Sequence, residues 1–439
     1  MESKNKKLYI ETLGCQMNKS DTERITGIMS HFGYEAVENE EDADFLIVNT
    51  CSIRQLSEDK AYSKLGVWGK RKKGGEDLII GIAGCVAQQE KENLLKKFPY
   101  VDLVFGTHNI YELPKILKEG EGRICAIRNE AIPEEEFNII RNKNINAWLP
   151  IMEGCNNFCT YCVVPYTRGR ERSRSVENII KEFKKIVREG FKEITLLGQN
   201  VDSYGKDLEG KPDFAYLLSE LDKIDGDFRI RFTTSYPTDI TDKVIETVKN
   251  GKKICECFHI PMQSGNDRVL KMMNRRYNVE EYAKIVNKIK ENIENVTVTS
   301  DFIAGFPSET EEEFQDTIKQ IEILGLDYSN TAAYSPRPNT PAGKLTDKFI
   351  DENTKKTRLQ KLNEAVKKAS FNSNEKFVGK TLEVLVEKVK EENGERILEG
   401  RLRNNKVVHF KSKKHDIGDF VNVKLNKASI WCLFGEEKE

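Results

Sequence analysis
The sequence predicts an α/β protein in three parts: an N-terminal open parallel α/β sheet, a central incomplete (βα)6 TIM-like barrel and a C-terminal OB-like β-barrel. Three observations predict it. Short apolar runs alternate with amphipathic stretches of helical period across the first third, as in a parallel sheet covered by helices. A polar, acid-rich stretch from Glu119 to Asn146 reads as a linker, after which the alternation resumes with six further apolar runs. From about Lys376 the runs become short, alternating and turn-separated, as in a small barrel. At roughly 150 residues per domain, 439 residues suffice for about three.

In the first part the candidate strands are Leu8–Leu13, Ala43–Thr50, Leu78–Gly84 and Val101–Gly106. Cys15, Cys51 and Cys85 each fall at or just past the end of one of the first three, 36 and 34 residues apart, one βα unit each time. The C-terminal edge of an open parallel sheet is where ligands bind, so three residues remote in sequence converge on one crevice. Helix N-termini at that edge favour an anionic, thiolate-bound group.

The second series runs Ala147–Met152, Glu193–Asn200, Arg229–Ser235, Cys255–Pro261, Val296–Gly305 and Asp327–Ser335. Six strands alternating with helices fit an incomplete barrel better than an eight-fold one. Cys155, Cys159 and Cys162 lie in the loop after the first of these strands, on the face where such barrels carry out chemistry. Gln199, Arg231, Ser235 and Gln263 sit at or near strand C-termini, where polar groups contact ligands more often than they pack. Cys255, Cys257 and His259 read instead as core or structurally satisfied residues.

In the third part, eight Lys or Arg residues between Arg401 and Lys427 face only Asp416 and Asp419, a net of +6 in a chain whose overall charge is -1. Arg401, Arg403, Lys411, Lys413 and Lys414 are therefore candidate phosphate contacts. A second basic run, Arg168, Arg170, Arg172 and Arg174, directly follows the cysteine loop and is a candidate phosphate clamp.

The near-zero net charge excludes a global electrostatic argument for nucleic acid, so any basic site is local. The start lacks the apolar core of a signal peptide, and no apolar run reaches the roughly 18 residues of a membrane span, so a cytoplasmic protein without membrane contact is expected. Ten cysteines without a secretory signal argue against a disulfide scaffold and for metal or redox chemistry.

A C-x-x-x-C-x-x-C loop supplies three thiolates. Structural zinc takes four ligands, and the nearest histidines are the distant His108 and His259, whereas a 4Fe-4S cluster on three cysteines leaves one iron open. With Tyr161 just before the last cysteine, the loop resembles that of the radical S-adenosylmethionine superfamily. The match becomes specific in TLGCQMNKSDTE around Cys15, NTCSIR around Cys51, AGCVAQ around Cys85 and IMEGCNNFCTYCVVPYTRGRERSR around the central cluster. These segments, with GQNVDSYG, HIPMQSGNDRVLKMMNR, SDFIAGFPSET and AYSPRPNTPA, resemble the methylthiotransferases, most of all the MiaB type, and the terminal β-domain resembles the RNA-binding TRAM module.

The resemblance implies three segments: an auxiliary-cluster domain at 1–123, a radical S-adenosylmethionine domain at 141–371 and a TRAM domain at 374–439. It implies two 4Fe-4S clusters, one on Cys155, Cys159 and Cys162 that cleaves S-adenosylmethionine to a radical, the other on Cys15, Cys51 and Cys85 that carries sulfur. A second S-adenosylmethionine would donate the methyl group. Gly305 and Glu309 would contribute to adenosyl binding, with Tyr161, Gln199, Arg231, Ser235 and Gln263 as further cofactor contacts. The implied reaction is methylthiolation of C2 of N6-isopentenyladenosine at position 37 of tRNA, with the anticodon stem-loop as partner and a flavodoxin or ferredoxin as electron donor. An aromatic C–H is too weak an acid for a side-chain base, which is why a radical source is needed, and the target adenine would leave its stack to reach it. Threonylcarbamoyladenosine in tRNA and a ribosomal protein side chain are alternative substrates. A non-catalytic RNA-binding protein with structural metal sites is the alternative of another class, and oligomeric state is not set by the sequence.

Overall fold
A computed structural model describes residues 6–52, 55–119, 122–128, 139–141, 145–392 and 394–438. The chain divides into two compact units. One comprises Met1–Asn144, Glu153–Asn156 and Cys162–Glu171; the other comprises Ile145–Met152, Asn157–Tyr161 and Arg172–Glu439.

The first unit is built on six parallel strands: β1 (Lys6–Leu13), β2 (Tyr34–Ala36), β3 (Phe45–Thr50), β4 (Ile79–Gly84), β5 (Leu103–Phe105) and β6 (Ile124–Ala126), in the order β2-β1-β3-β4-β5-β6. Successive strand residues point to opposite faces. Leu46, Val48, Ile80, Ile82 and Val104 therefore pack on one side with Leu65 and Trp68 of α2 (Gln55–Lys73), while Phe45, Ile47, Leu103 and Phe105 pack on the other with Ile25, Ile28 and Met29 of α1 (Gln16–His31). The strand order reverses between β1 and β3, the switch point where open α/β sheets open a crevice at their carboxyl ends. The edge strands β2 and β6 are additions to the four strands expected. Strand β6 falls within the stretch read as a linker; most of the rest of that stretch lies outside the described residues.

The second unit carries β7 (Asn146–Pro150); two short strands, β8 (Met152–Glu153) and β9 (Arg172–Ser173), flank the cysteine loop in the chain. Then come β10 (Glu193–Leu197), β11 (Arg229–Phe232), β12 (Cys257–His259), β13 (Thr297–Ala304) and β14 (Tyr328–Ala333). Two parallel three-stranded sheets, β7-β10-β11 and β12-β13-β14, are joined by a parallel bridge from Ile230 to Ile254, so six strands follow one another in chain order. Among the described residues no pairing joins β14 to β7, and the barrel is open as expected.

The last five strands, β15 (Thr381–Glu392), β16 (Glu395–Leu402), β17 (Val407–Lys411), β18 (Phe420–Ala428) and β19 (Cys432–Glu437), close into a barrel in the order β15-β16-β17-β19-β18 around Val384, Val386, Leu398, Val408, Val423 and Leu433. The turn between β16 and β17 is anchored on the N-terminal ends of the parallel strands. Arg229 and Arg231 donate to the Arg401 and Arg403 carbonyls at 2.8 and 2.9 Å, and Thr297 donates to the Asn404 carbonyl at 2.6 Å. The buried Lys406 ammonium meets Asp327 at 3.1 Å and Ser373 and Asn374 at 2.8 Å. Among the described residues no helix is long and apolar enough to cross a membrane.

Candidate functional site
Cys15, Cys51 and Cys85 meet at the carboxyl edge of the first sheet. Cys15 is the N-cap of α1, its backbone extended; Cys51 follows β3; Cys85 opens α3 (Cys85–Glu90) after β4. Cys51 stands between the other two, its thiol hydrogen-bonded to both. Cys51 and Cys85 are buried and Cys15 is exposed.

Two glycines make the approach possible. A Cβ on Gly14 would lie 2.9 Å from the Cβ of Cys51, and Gly84, at φ +87, would drive one into Asn49 and the backbone of Thr50. Asn18 accepts from the Cys15 N–H at 3.3 Å and thiol at 3.2 Å and is itself fixed by Asn49, which donates to the Asn18 carbonyl at 2.9 Å.

Hydrogen bonds with Cys51, aided by the Arg168 charge, bring the Cys15 thiol down to about 6 and that of Cys85 to about 7, while the same two contacts, and then burial, push Cys51 up. Among the described residues no group of three His, Cys, Asp or Glu side chains is set to hold a metal ion as it stands. The fit to an iron–sulfur group rests on donor chemistry: three soft thiols gathered at one edge, two of them biased toward thiolate.

Arg168 corrects the expectation of a phosphate clamp. It is 2% exposed, forms a bidentate pair with Asp21 of α1, which is 1% exposed, and lies 3.8 Å from Glu153. The next residue, Gly169, accepts the Cys155 N–H at 3.1 Å.

Arg174 is likewise committed, to Glu182 and the Pro150 carbonyl, both at 2.7 Å. Only Arg170 and Arg172 of that run are exposed. In the terminal barrel, Arg403 grips Glu256 at 2.7 Å and the Ile254 carbonyl at 2.6 Å, so it anchors the barrel and does not face RNA. Arg401 pairs with Glu387 at 3.1 Å and Lys411 with Glu395 at 2.5 Å; Lys413 and Lys414 are exposed.

In the second unit, the segment from Asn157 to Tyr161 is strapped down by Asn274, which donates to the Asn157 and Phe158 carbonyls at 3.1 and 3.0 Å, and by bonds from Thr160 to the Met272 and Met273 carbonyls. Arg275 donates to the Cys159 sulfur at 3.5 Å and stacks on Tyr236 and Tyr277. Sequence reasoning missed Arg275; its only signal was a place within the MNRR run. Tyr161 packs against an apolar cluster that includes Met273, Phe306 and Tyr334.

The strand ends of this unit carry a second residue that the sequence did not single out. Asp202, just after β10, is buried with the Ser235 hydroxyl beside its carboxyl group, and Asn200 Oδ1 is buried without a hydrogen-bond partner among the described residues. Burial pushes the Asp202 carboxyl up to about 7. Thr234 and Gln263, in the segments just after β11 and β12, hold left-handed φ values of +74 and +75, a strain that clusters at ligand sites. Gln199 is half-buried in the turn after β10.

Arg231 lies away from these strand ends: it pairs with Glu193 at 2.7 Å and with the terminal barrel, so the expected cofactor contact gives way to an anchoring role. Glu309 also acts locally. It accepts the Gly305 N–H at 2.7 Å and pairs with Arg358 at 3.0 Å, which fixes the left-handed turn at Gly305, φ +75; burial raises its carboxyl to about 7. His259 bonds Thr299 at 2.9 Å and Asp301 at 3.2 Å, and Cys255 and Cys257 are buried, as the sequence reading expects.

Residues 149–321 match the Radical SAM superfamily, residues 7–106 the uncharacterized protein family UPF0004 and residues 375–437 the TRAM domain. Relatives named tRNA-2-methylthio-N(6)-dimethylallyladenosine synthase include one from Acetivibrio thermocellus, 45% identical over 98% of this chain and 91% of that protein, and one from Carboxydothermus hydrogenoformans, 45% identical over 98% and 99%. A third, from Clostridium botulinum, is 46% identical over 98% and 96%. Among solved structures, the radical S-adenosylmethionine methyltransferase TsrM from Kitasatospora setae shares the fold at 12% identity and a TM-score of 0.57, over 77% of this chain and 74% of that one. The cobalamin-dependent radical enzyme OxsB does so at 12% identity and a TM-score of 0.52, over 80% and 56%.

Proposed function
The chain belongs to the family of the tRNA-2-methylthio-N(6)-dimethylallyladenosine synthases, radical S-adenosylmethionine enzymes, and from that premise we propose that it methylthiolates C2 of N6-isopentenyladenosine at position 37 of tRNA. The observation that carries the reading is the contact of Cys51 with both Cys15 and Cys85, a thiol set separate in sequence from the cysteine loop. Thiomethylation of an unactivated carbon needs both a radical source and a sulfur store.

Cys155, Cys159 and Cys162 would hold one 4Fe-4S cluster and Cys15, Cys51 and Cys85 the other, in segments 141–371 and 1–123 respectively. When bound, the first supplies one-electron cleavage of S-adenosylmethionine, with electrons from a flavodoxin or ferredoxin, and the second supplies sulfur. Arg275 fixes the position of the Cys159 sulfur by donating to it. The Asp202, Ser235 and Asn200 oxygens accept from the amine and hydroxyl donors of S-adenosylmethionine, with Gln199 and Gln263 at the same strand ends. Gly305 takes the left-handed turn beside the adenosyl group, with Lys355 packed where its Cβ would stand, and Glu309 holds that turn in shape. Arg170, Arg172, Lys413 and Lys414, the last two in segment 374–439, contact phosphates of the anticodon stem-loop.

Replacing Cys15, Cys51 and Cys85 together by Ala tests the division of labour. The variant should still release 5'-deoxyadenosine from S-adenosylmethionine yet make no methylthio nucleoside. Methylthiolated RNA from it would overturn the assignment.

A further inference from the structure
A buried ion pair needs a reason beyond stability. Taking a guanidinium and a carboxylate out of water costs several kcal/mol per ion, and apolar replacements often serve stability as well. Arg168 and Asp21 are nonetheless 2% and 1% exposed, in a bidentate pair.

Their location supplies the reason. Asp21 lies on α1, the helix that Cys15 caps, so the pair is tied to the element that positions the most exposed of the three sheet-edge cysteines. On the other side, Arg168 is followed by Gly169, whose carbonyl accepts the Cys155 N–H at 3.1 Å, and a Cβ on Gly154 would collide with this same stretch of backbone. Glu153, two residues before Cys155, lies 3.8 Å from Arg168 and 3.7 Å from Arg24 of α1. One guanidinium is thus bound to the helix of one cysteine set and, through its own backbone neighbour, to the loop of the other. Its charge also reaches Cys15 and Cys85.

We propose that Arg168, held by Asp21, is the positioning residue that sets the reduction potential of the iron–sulfur group on Cys15, Cys51 and Cys85. The inference rests on the reading of those cysteines as cluster ligands. Cluster potentials follow net charge and the dipoles around the sulfurs. A buried cation beside a cluster on three thiolates favours the reduced, more negative form and raises the potential; the Asp21 carboxylate partly offsets it, because in a water-poor setting each charge acts at full reach.

The test uses the full-length chain with Cys155, Cys159 and Cys162 changed to Ala, so that only the group in question titrates. Iron per chain is measured first, then the midpoint potential by dithionite titration followed by electron paramagnetic resonance. The parent should retain about four irons; no iron there would overturn the ligand reading itself and the inference with it. Given iron, Arg168→Gln should shift the midpoint to more negative values, Asp21→Asn to more positive values, and Arg168→Lys should stay near the parent. Opposite signs from two neighbouring changes cannot come from general loosening. If Arg168→Gln holds no iron, Asp21→Asn and Arg168→Lys still decide. Midpoints unmoved by the charge changes, or moved in the same direction by Arg168→Gln and Asp21→Asn, would overturn the inference while leaving the ligand reading intact.

Discussion
Asp202, which the sequence did not single out, is buried just after β10. Its carboxyl, pushed up to about 7 by burial, binds a proton more tightly in the folded chain than in the unfolded one. That contribution to stability is fully present below the unfolded value, about 4, and is lost as pH rises through the folded value. Asp202→Asn, neutral throughout, should therefore gain on the wild type between about pH 5 and about pH 8, by on the order of 3 kcal/mol. Thermal unfolding across that range checks it, and a gap that does not change with pH contradicts it. Glu309, raised in the same direction, is common to both proteins and cancels. At this scale the meeting of Cys15, Cys51 and Cys85 was legible in their spacing of one βα unit at a time. The sequence could not show Arg168 and Arg403 as anchors, because a basic run reads the same whether its partners are phosphates or carboxylates folded in from more than a hundred residues away; nor could it show Arg231 paired with Glu193 and the Arg403 carbonyl.

Among the elements, the two turns that deliver Cys15 and Cys85 depend on glycine for different reasons: Gly14 for close approach, Gly84 for its left-handed φ as well. Gly14→Ala places a methyl against Asn18 and the Cys51 Cβ, so Cys15 or Cys51 must move. The expected result is loss of about half the iron with 5'-deoxyadenosine release retained, read by iron analysis and chromatography; full iron content would contradict the packing argument. Strands with four or more apolar or β-branched residues were legible because buried parallel strands form near-continuous apolar runs. Strands β2 and β6, three residues each at the sheet edges, were not: one face of each is half-exposed, and β6 sits among charged neighbours that dilute its signal.

For the molecule as a whole, the basic terminal barrel, read as an RNA-binding domain, is part of the same compact unit as the two three-stranded sheets β7-β10-β11 and β12-β13-β14. Deleting from Phe377 onward would strip the carbonyl partners from Arg229 and Arg231 and the ammonium from Asp327. Breaking the buried Lys406–Asp327 pair costs about 3–5 kcal/mol and each lost hydrogen bond from a guanidinium about 1.5–3 kcal/mol, so the truncated chain should melt well below the full one. A cleaner probe of RNA binding is neutralisation of Lys413 and Lys414, or of Arg170 and Arg172, all exposed. Removing one cation that meets a phosphate should lower the slope of log affinity against log salt by about 0.9, with 5'-deoxyadenosine release unchanged; an unaltered slope would place the RNA elsewhere.

The central claim, a methylthio transfer to isopentenylated adenosine, is tested most directly by mass spectrometry of nucleosides from tRNA. Unmodified, N6-isopentenyladenosine-bearing and threonylcarbamoyladenosine-bearing tRNAs are each incubated with the anaerobically reconstituted enzyme, S-adenosylmethionine and a reductant. The predicted result is the 2-methylthio derivative from the isopentenylated tRNA alone, together with 5'-deoxyadenosine. A methylthio product from the threonylcarbamoyl tRNA instead, or no product with both clusters intact, would contradict it.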